Sequence, residues 1–344
     1  MITSWREIQK NNFTSLALLA EFLQLRSFQR EQLAEASFPF NLPRRLAEKM
    51  QKGTLEDPLF KQFVPLKASC TEDRRFMADP VSDVTFRTAP KLLHKYASRV
   101  LLMPTSACAM HCRYCFRQNF PYEKERKDLE SELEVIRRDH SLKEVILSGG
   151  DPLSLGNETL KQLLEALDAI PHLKRLRFHT RFPMGIPERI DAPFLEMLGS
   201  RRLQTWFVVH CNHPMELDED ILSALLRIQK LGIPVLTQTV LLKGVNDTVE
   251  ILEQLFEKLV DHGIVPYYLH QLDPVRGSHA FEVPIEKGKA LMETLRGRLS
   301  GYALPRYVQE IAGESSKSLL YPNELKRRFL GHAKAPGVEQ SQAD

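Results

Sequence analysis

The chain has 344 residues, 43% hydrophobic and 26% charged, with a formal net charge of +3 at pH 7, enough for one large α/β barrel or two ordinary domains. That charge is small, and its basic clusters (Arg74-Arg75, Arg137-Arg138, Lys326-Arg327-Arg328) are scattered without interleaved aromatics, which argues for solvated faces over nucleic-acid binding. No apolar run approaches membrane-spanning length, the opening Met-Ile-Thr-Ser-Trp-Arg-Glu lacks a basic region followed by an apolar one, and the five cysteines do not resemble a disulfide framework; a cytoplasmic protein with no membrane or nucleic-acid partner is expected.

Residues 1–90 carry leucine-rich helical patterns at 16–23 and 43–51, interrupted by Pro39, Pro43, Pro58 and Pro65, and read as a helical cap. From 91 to 300, short apolar or β-branched runs alternate with amphipathic stretches, the mark of βαβ units and a parallel sheet. Six strands are expected: Ser98 to Pro104, Lys143 to Ser148, Lys174 to Thr180, Gln204 to His210, Pro234 to Val240 and Ile264 to His270. Between them the 3.6-residue spacing of Leu129, Leu133, Ile136, of Leu160, Leu163, Leu164, Leu167, of Ile221, Leu225, Ile228 and of Leu252, Leu255, Leu259 predicts helices. Asp247 with Glu250 suggests a capping box, and Gly232 before Pro234 a helix stop. Residues 301–330 form a separate C-terminal segment, and the polar stretch 331–344 is expected to be disordered.

In a βα barrel the chemistry sits on loops at the carboxyl ends of the strands, and the unusual residues fall there. After strand one comes Cys108-Ala-Met-His-Cys112-Arg-Tyr-Cys115. A 4Fe-4S cluster normally takes four thiolates, so three packed this tightly leave one iron open to a reactive ligand. A zinc knot with His111 as fourth ligand is the alternative. Cys70 and Cys211 read as ordinary thiols. Ser148-Gly149-Gly150-Asp151-Pro152 follows strand two, Arg181 strand three, His210 to Pro214 strand four, Gln238 lies late in strand five, and Asp273 follows strand six.

The Cys-x3-Cys-x2-Cys loop after the first strand resembles the signature of radical S-adenosylmethionine (SAM) enzymes. Lys95 to Arg99, Cys115-Phe116-Arg117, Ser148 to Leu153, His210 to Pro214, Val240 to Asp247 and Tyr267 to Asp273 resemble lysine 2,3-aminomutases, most closely the short member that supplies β-lysine for modification of elongation factor P. The resemblance implies a partial (β/α)6 radical SAM barrel with an N-terminal helical cap and a C-terminal segment binding pyridoxal phosphate (PLP). It implies that Cys108, Cys112 and Cys115 hold the cluster, that Gly149, Gly150, Asp151, His210, Asn212 and Gln238 contact SAM, and that Lys317 binds PLP, with Lys95, Tyr96 and Arg99 on its phosphate. Arg117 would clamp the substrate carboxylate, and Asp273 with Glu310, where the family usually has Asp, would receive the distal ammonium of lysine. An electron donor such as flavodoxin or ferredoxin and a functional link to the elongation factor P lysylation ligase follow. The readings to be distinguished from lysine mutase activity are an aminomutase for another amino acid such as glutamate and a non-catalytic Fe-S protein.

Overall fold

The six runs expected as strands lie side by side, in chain order, as the middle of one sheet. The computed structural model describes residues 4–34, 39–67, 73–123 and 128–321; Cys70, the Lys326-Arg327-Arg328 cluster and the expected disordered stretch 331–344 lie outside them. Among the described residues the strands are β1 Arg87–Ala89, β2 Leu92–Tyr96, β3 Arg99–Leu102, β4 Glu144–Leu147, β5 Arg175–Thr180, β6 Gln204–His210, β7 Val235–Val240, β8 Val265–His270, β9 Arg306–Gln309 and β10 Ser318–Tyr321. Their order in the sheet is their order in the chain. From β3 to β9 every neighbouring pair is parallel, while β1, β2 and β10 add antiparallel edges.

The helices are α1 Trp5–Lys10, α2 Leu16–Phe22, α3 Ser27–Arg30, α4 Arg44–Lys49, α5 Pro58–Phe63, α6 Glu130–Arg138, α7 Asn157–Asp168, α8 Phe182–Gly185, α9 Ala192–Gly199, α10 Glu219–Gln229, α11 Val249–Val260 and α12 Ile285–Arg298. Their apolar stripes face the core as the spacing requires: Leu160, Leu163, Leu164 and Leu167 of α7, and Leu252, Leu255 and Leu259 of α11, are buried. Gly232 lies beyond the end of α10 at φ +75°. The expected capping box at Asp247 is displaced by one residue. Thr248 caps α11 by accepting the Ile251 amide hydrogen bond, while Asp247 accepts from the Gly244 amide at 2.7 Å and pairs with Lys287.

Strands also occur where none was expected. Arg87–Ala89 begins the sheet inside the stretch read as helical, and β9 with β10 forms a hairpin within the C-terminal segment. The sheet does not close through its backbone. It curls far enough that Tyr96, at the end of β2, donates a hydrogen bond of 2.5 Å to Glu310, the residue after β9, and Lys95 lies 3.3 Å from the same carboxylate. Side chains therefore bridge the open side that a complete barrel would close with a backbone ladder.

The cysteine loop is fixed from two directions. On one side the Gly149-Gly150-Asp151 turn docks on it: the Gly150 amide donates to Thr105 O at 2.9 Å and the Asp151 amide to Ala107 O at 2.7 Å. A Cβ at Gly149 would meet Thr105 O at 2.9 Å, and one at Gly150 would meet Ser106 O at 2.6 Å. Gly149 also sits at φ +105°, a conformation that glycine adopts without steric cost. These glycines admit the cysteine loop, and both also line the cavity described below. On the other side the N-terminal region grips the loop: Asn12 donates to Ala109 O at 2.9 Å, Asn41 to Cys108 O at 3.1 Å, and the Arg113 amide to Gln62 O at 3.0 Å.

Gly150→Ala is accordingly expected to cost about 1–3 kcal/mol, the usual range for overpacking, concentrated in the cysteine loop. Amide hydrogen exchange should accelerate over residues 105–112 and stay unchanged in the α7 and α10 helices. Equal acceleration everywhere, or none, would show that the glycines do not support the loop.

Candidate active site

The carboxyl ends of the parallel strands surround a cavity of about 1000 Å³. Cys108, Cys112, Cys115, Gly149, Gly150, Asp151, His210 and Gln238 line it, as do Arg117, Lys95, Tyr96, Arg99, Asp273, Glu310 and Lys317. Of the residues singled out from sequence, Asn212 alone does not. It is fully buried, donating to the Tyr114 hydroxyl at 2.7 Å and to Gln62 Oε1 at 3.0 Å and accepting the Val240 amide at 2.9 Å. Asn212 thus holds the β6 and β7 ends together from behind the wall.

The three cysteines are free thiols spread along one wall. Burial, then the neighbouring Cys112, pushes the Cys115 thiol up to about 11, and burial, then Asp151, pushes Cys108 up as well. Bound iron would offset that penalty, because a coordinated thiol is deprotonated outright. Among the described residues no three His, Cys, Asp or Glu side chains converge on one ion, and the His111 ring bonds the Pro39 carbonyl. The donor set fits an iron-sulfur cluster. Cys211 is a buried thiol donating to His213 O at 3.5 Å.

Asp151 is saturated: its carboxylate accepts from Thr180 Oγ1 at 2.7 Å and from the amides of Leu153, Arg181 and Phe182 at 3.0, 2.7 and 2.9 Å. Burial nevertheless pushes it up to about 6, against those bonds. Its bonds brace the β4 and β5 loops against each other. His210, at the end of β6, is pushed down to about 3 by burial and then by Arg181, so its imidazole is neutral. A neutral ring beside the cluster wall does not repel a sulfonium ligand such as SAM.

The opposite wall is built by the β9–β10 hairpin. Ser318 pairs with Gln309, so the residues just beyond this pair, Glu310 and Lys317, face each other and form an ion pair. Burial would raise the Glu310 carboxyl, but Lys317, Tyr96 and Lys95 outweigh it and hold it below the ordinary carboxylate value. Asp273, after β8, has no such partner set. Burial raises it to about 7, with Lys317 opposing and Glu310 and Asp83 adding to the rise. Arg99 stacks its guanidinium 4.8 Å from the Tyr96 ring centre. A lysine amine amid Lys95, Arg99 and a phenolic hydroxyl is a donor set that suits an aldehyde cofactor bearing a phosphate.

Sequence reading missed Asp83. Its buried carboxylate bridges Lys95 Nζ and Arg117 Nε, each at 2.8 Å, and fixes the guanidinium from its Nε side. Asp83 opens a single 3-10 turn, Asp83–Phe86, too short to show a periodic pattern, so no local signal marks it. His179 and His270 were missed too: both line the cavity, and burial pulls both imidazoles well below their ordinary value. Strand alternation on β5 and β8 could have placed them.

Residues 102–259 match the radical SAM superfamily. The L-lysine 2,3-aminomutase of Haemophilus influenzae is 39% identical over 92% of this chain and 95% of its own length. That of Escherichia coli is 39% identical over 83% and 84%, and that of Clostridium subterminale 31% identical over 93% and 78%. Among solved structures, native anSMEcpe with bound AdoMet superposes with a TM-score of 0.46 at 16% identity over 58% of this chain and 59% of that one. On these matches the chain belongs to the lysine 2,3-aminomutase family of radical SAM enzymes, isomerases whose superfamily is built around a 4Fe-4S cluster and SAM.

Proposed function

We propose that this chain converts L-α-lysine to β-lysine using a 4Fe-4S cluster, SAM and PLP. The observation that carries the reading is the grouping of Lys317, Glu310, Lys95 and Tyr96 on the wall of the cavity that the three cysteines also line. Bound PLP supplies a π system over which an unpaired electron spreads. The remaining work falls to the chain. Cys108, Cys112 and Cys115 hold the cluster, while Gly149, Gly150, His210 and Gln238 line the space for SAM. Lys317 holds PLP, and Lys95, Tyr96 and Arg99 serve its phosphate.

Arg117 offers a planar fork to the substrate carboxylate, oriented by Asp83. Asp273 and Glu310 receive the distal ammonium. Two carboxylates at that end favour a diamino acid and repel the second carboxylate of glutamate, which supports lysine as the substrate. The cysteines and His210 are half-buried on the cavity wall. The likeness to the short β-lysine-forming mutases supports a role in supplying the elongation factor P lysylation ligase. A thiolate-held cluster needs a reducing compartment, in keeping with the cytoplasm, and a one-electron donor such as flavodoxin or ferredoxin. No helix among the described residues is long and apolar enough to cross a membrane.

Reconstituted protein given a reductant, SAM, PLP and L-lysine under anaerobic conditions should form β-lysine. Lys317→Ala should lose that activity together with the bound pyridoxal absorbance. Faster turnover of glutamate than of lysine, or wild-type turnover by Lys317→Ala, would refute the reading.

The acid at 273 adds a pH dependence. Its value of about 7 lies above the ordinary 3.8, so between those limits the folded carboxyl keeps a proton that an exposed one has lost. It receives a cation only after that proton leaves, and kcat/KM for lysine is expected to rise with pH through about 7. Asp273→Asn should flatten this rise and lower kcat/KM about tenfold to a hundredfold at pH 8, in line with about 1.5–3 kcal/mol for a hydrogen bond to a charged group. An unchanged rise in the variant would assign the titration to another group.

A further inference from the structure

Arg181, the first residue past β5, is buried, charged and unused by the proposed reaction. Its Nη1 lies 2.8 Å from Cys112 Sγ and also bonds the Tyr114 hydroxyl. Its Nη2 donates to Gln62 Oε1 at 2.7 Å and to Glu216 Oε2 at 2.8 Å. Glu216 is fully buried, and its other oxygen accepts from the Asn212 amide at 3.0 Å and from Gln62 Nε2 at 3.2 Å. The guanidinium carbon rests 4.8 Å from the Phe63 ring centre. Every group that could let the fork swing is therefore itself pinned, and the fork points at a cysteine sulfur.

A buried ion pair of this kind is weak as a device for stability, because desolvation offsets much of its attraction and apolar residues of the same size do as well. What apolar residues cannot do is place a fixed positive charge and an N–H donor against a thiolate. Hydrogen bonds to the sulfurs and the net charge around an iron-sulfur cluster set its reduction potential. Reduction adds one electron, taken from an external one-electron donor, and breaks no bond to the protein; a cation at the sulfur favours the reduced form.

We propose that Arg181, aimed by Glu216 and Gln62, is a positioning residue for the cluster that donates to the Cys112 sulfur and raises the cluster's reduction potential. The proposal rests on Cys112 being a cluster ligand. The same network continues to the SAM side, since the Tyr114 hydroxyl lies 3.2 Å from His210 Nε2, so displacement of Arg181 should be felt there as well.

Two measurements on the reconstituted holoenzyme test it. In protein whose arginines carry the heavy nitrogen isotope only in the guanidino group, the dithionite-reduced cluster should show a nitrogen coupling in pulsed electron paramagnetic resonance that Arg181→Lys removes. A cluster without that coupling in the wild type, or with the coupling intact in Arg181→Lys, overturns the proposal. The second uses Arg181→Gln combined with Glu216→Gln, which leaves no lone buried charge. The net charge is unchanged, but Arg181 is the member of the pair nearer the sulfur, so the positive potential at the sulfur falls. At the potential where half of the wild-type cluster is reduced, the ratio of reduced to oxidised cluster should fall about tenfold, equivalent to about 59 mV toward more negative potential. An unchanged midpoint with full iron content also overturns it. Failure of the wild type to bind iron, or full iron content in Cys112→Ala, would instead sink the ligand assignment beneath it.

Discussion

A single carboxylate holds the two sides of this molecule together. The sheet runs from β1 to β10 without closing on itself, and Glu310 bridges the open side by accepting from Tyr96 of β2 while pairing with Lys95 and Lys317. Its burial would favour the protonated form, yet three donors outweigh that penalty and keep it ionised. That bridge lies between the strands that carry the two ends of the cavity wall. Under the proposed reading the same carboxylate also helps receive the substrate's ammonium, so closure of the fold and recognition of the substrate share one group. Glu310 is one methylene longer than the family's usual Asp, which gives it the reach for a three-way contact.

The cysteine wall follows a different logic. Its loop has little regular structure, and its position comes from backbone hydrogen bonds to the Gly149–Asp151 turn and from Asn12, Asn41 and Gln62 of the N-terminal region. The N-terminal helices thus act on the site indirectly, by gripping the loop that carries the thiols. Arg181 and Glu216 continue the same bracing behind Cys112. His210 is neutral here, and Asp151 spends its oxygens on neighbouring amides and Thr180.

Much of this was legible before any coordinates. The six central strands carry apolar runs longer than their turns require, and their helices repeat leucine at helical spacing, so periodicity alone found them. The cysteine spacing and the residues at strand ends located the cavity. What periodicity could not reach were β1, β2, β9 and β10, which lie outside the βα alternation at the two ends of the sheet, and the turn that presents Asp83. The placement of Asn212 is not legible from the chain, because a polar residue in a motif looks the same whether it faces the cavity or braces it from behind. The glycines of the β4 turn leave room for the neighbouring cysteine loop, a packing role that their motif alone does not reveal.

The account turns on Lys317 facing Glu310 across the hairpin as the point where the aldehyde cofactor attaches. Borohydride reduction of PLP-loaded protein followed by peptide mapping tests this directly. The expected result is a stable phosphopyridoxyl group on the single peptide that contains Lys317. Label on another lysine of the cavity, Lys95 above all, with Lys317 unmodified, would contradict the account.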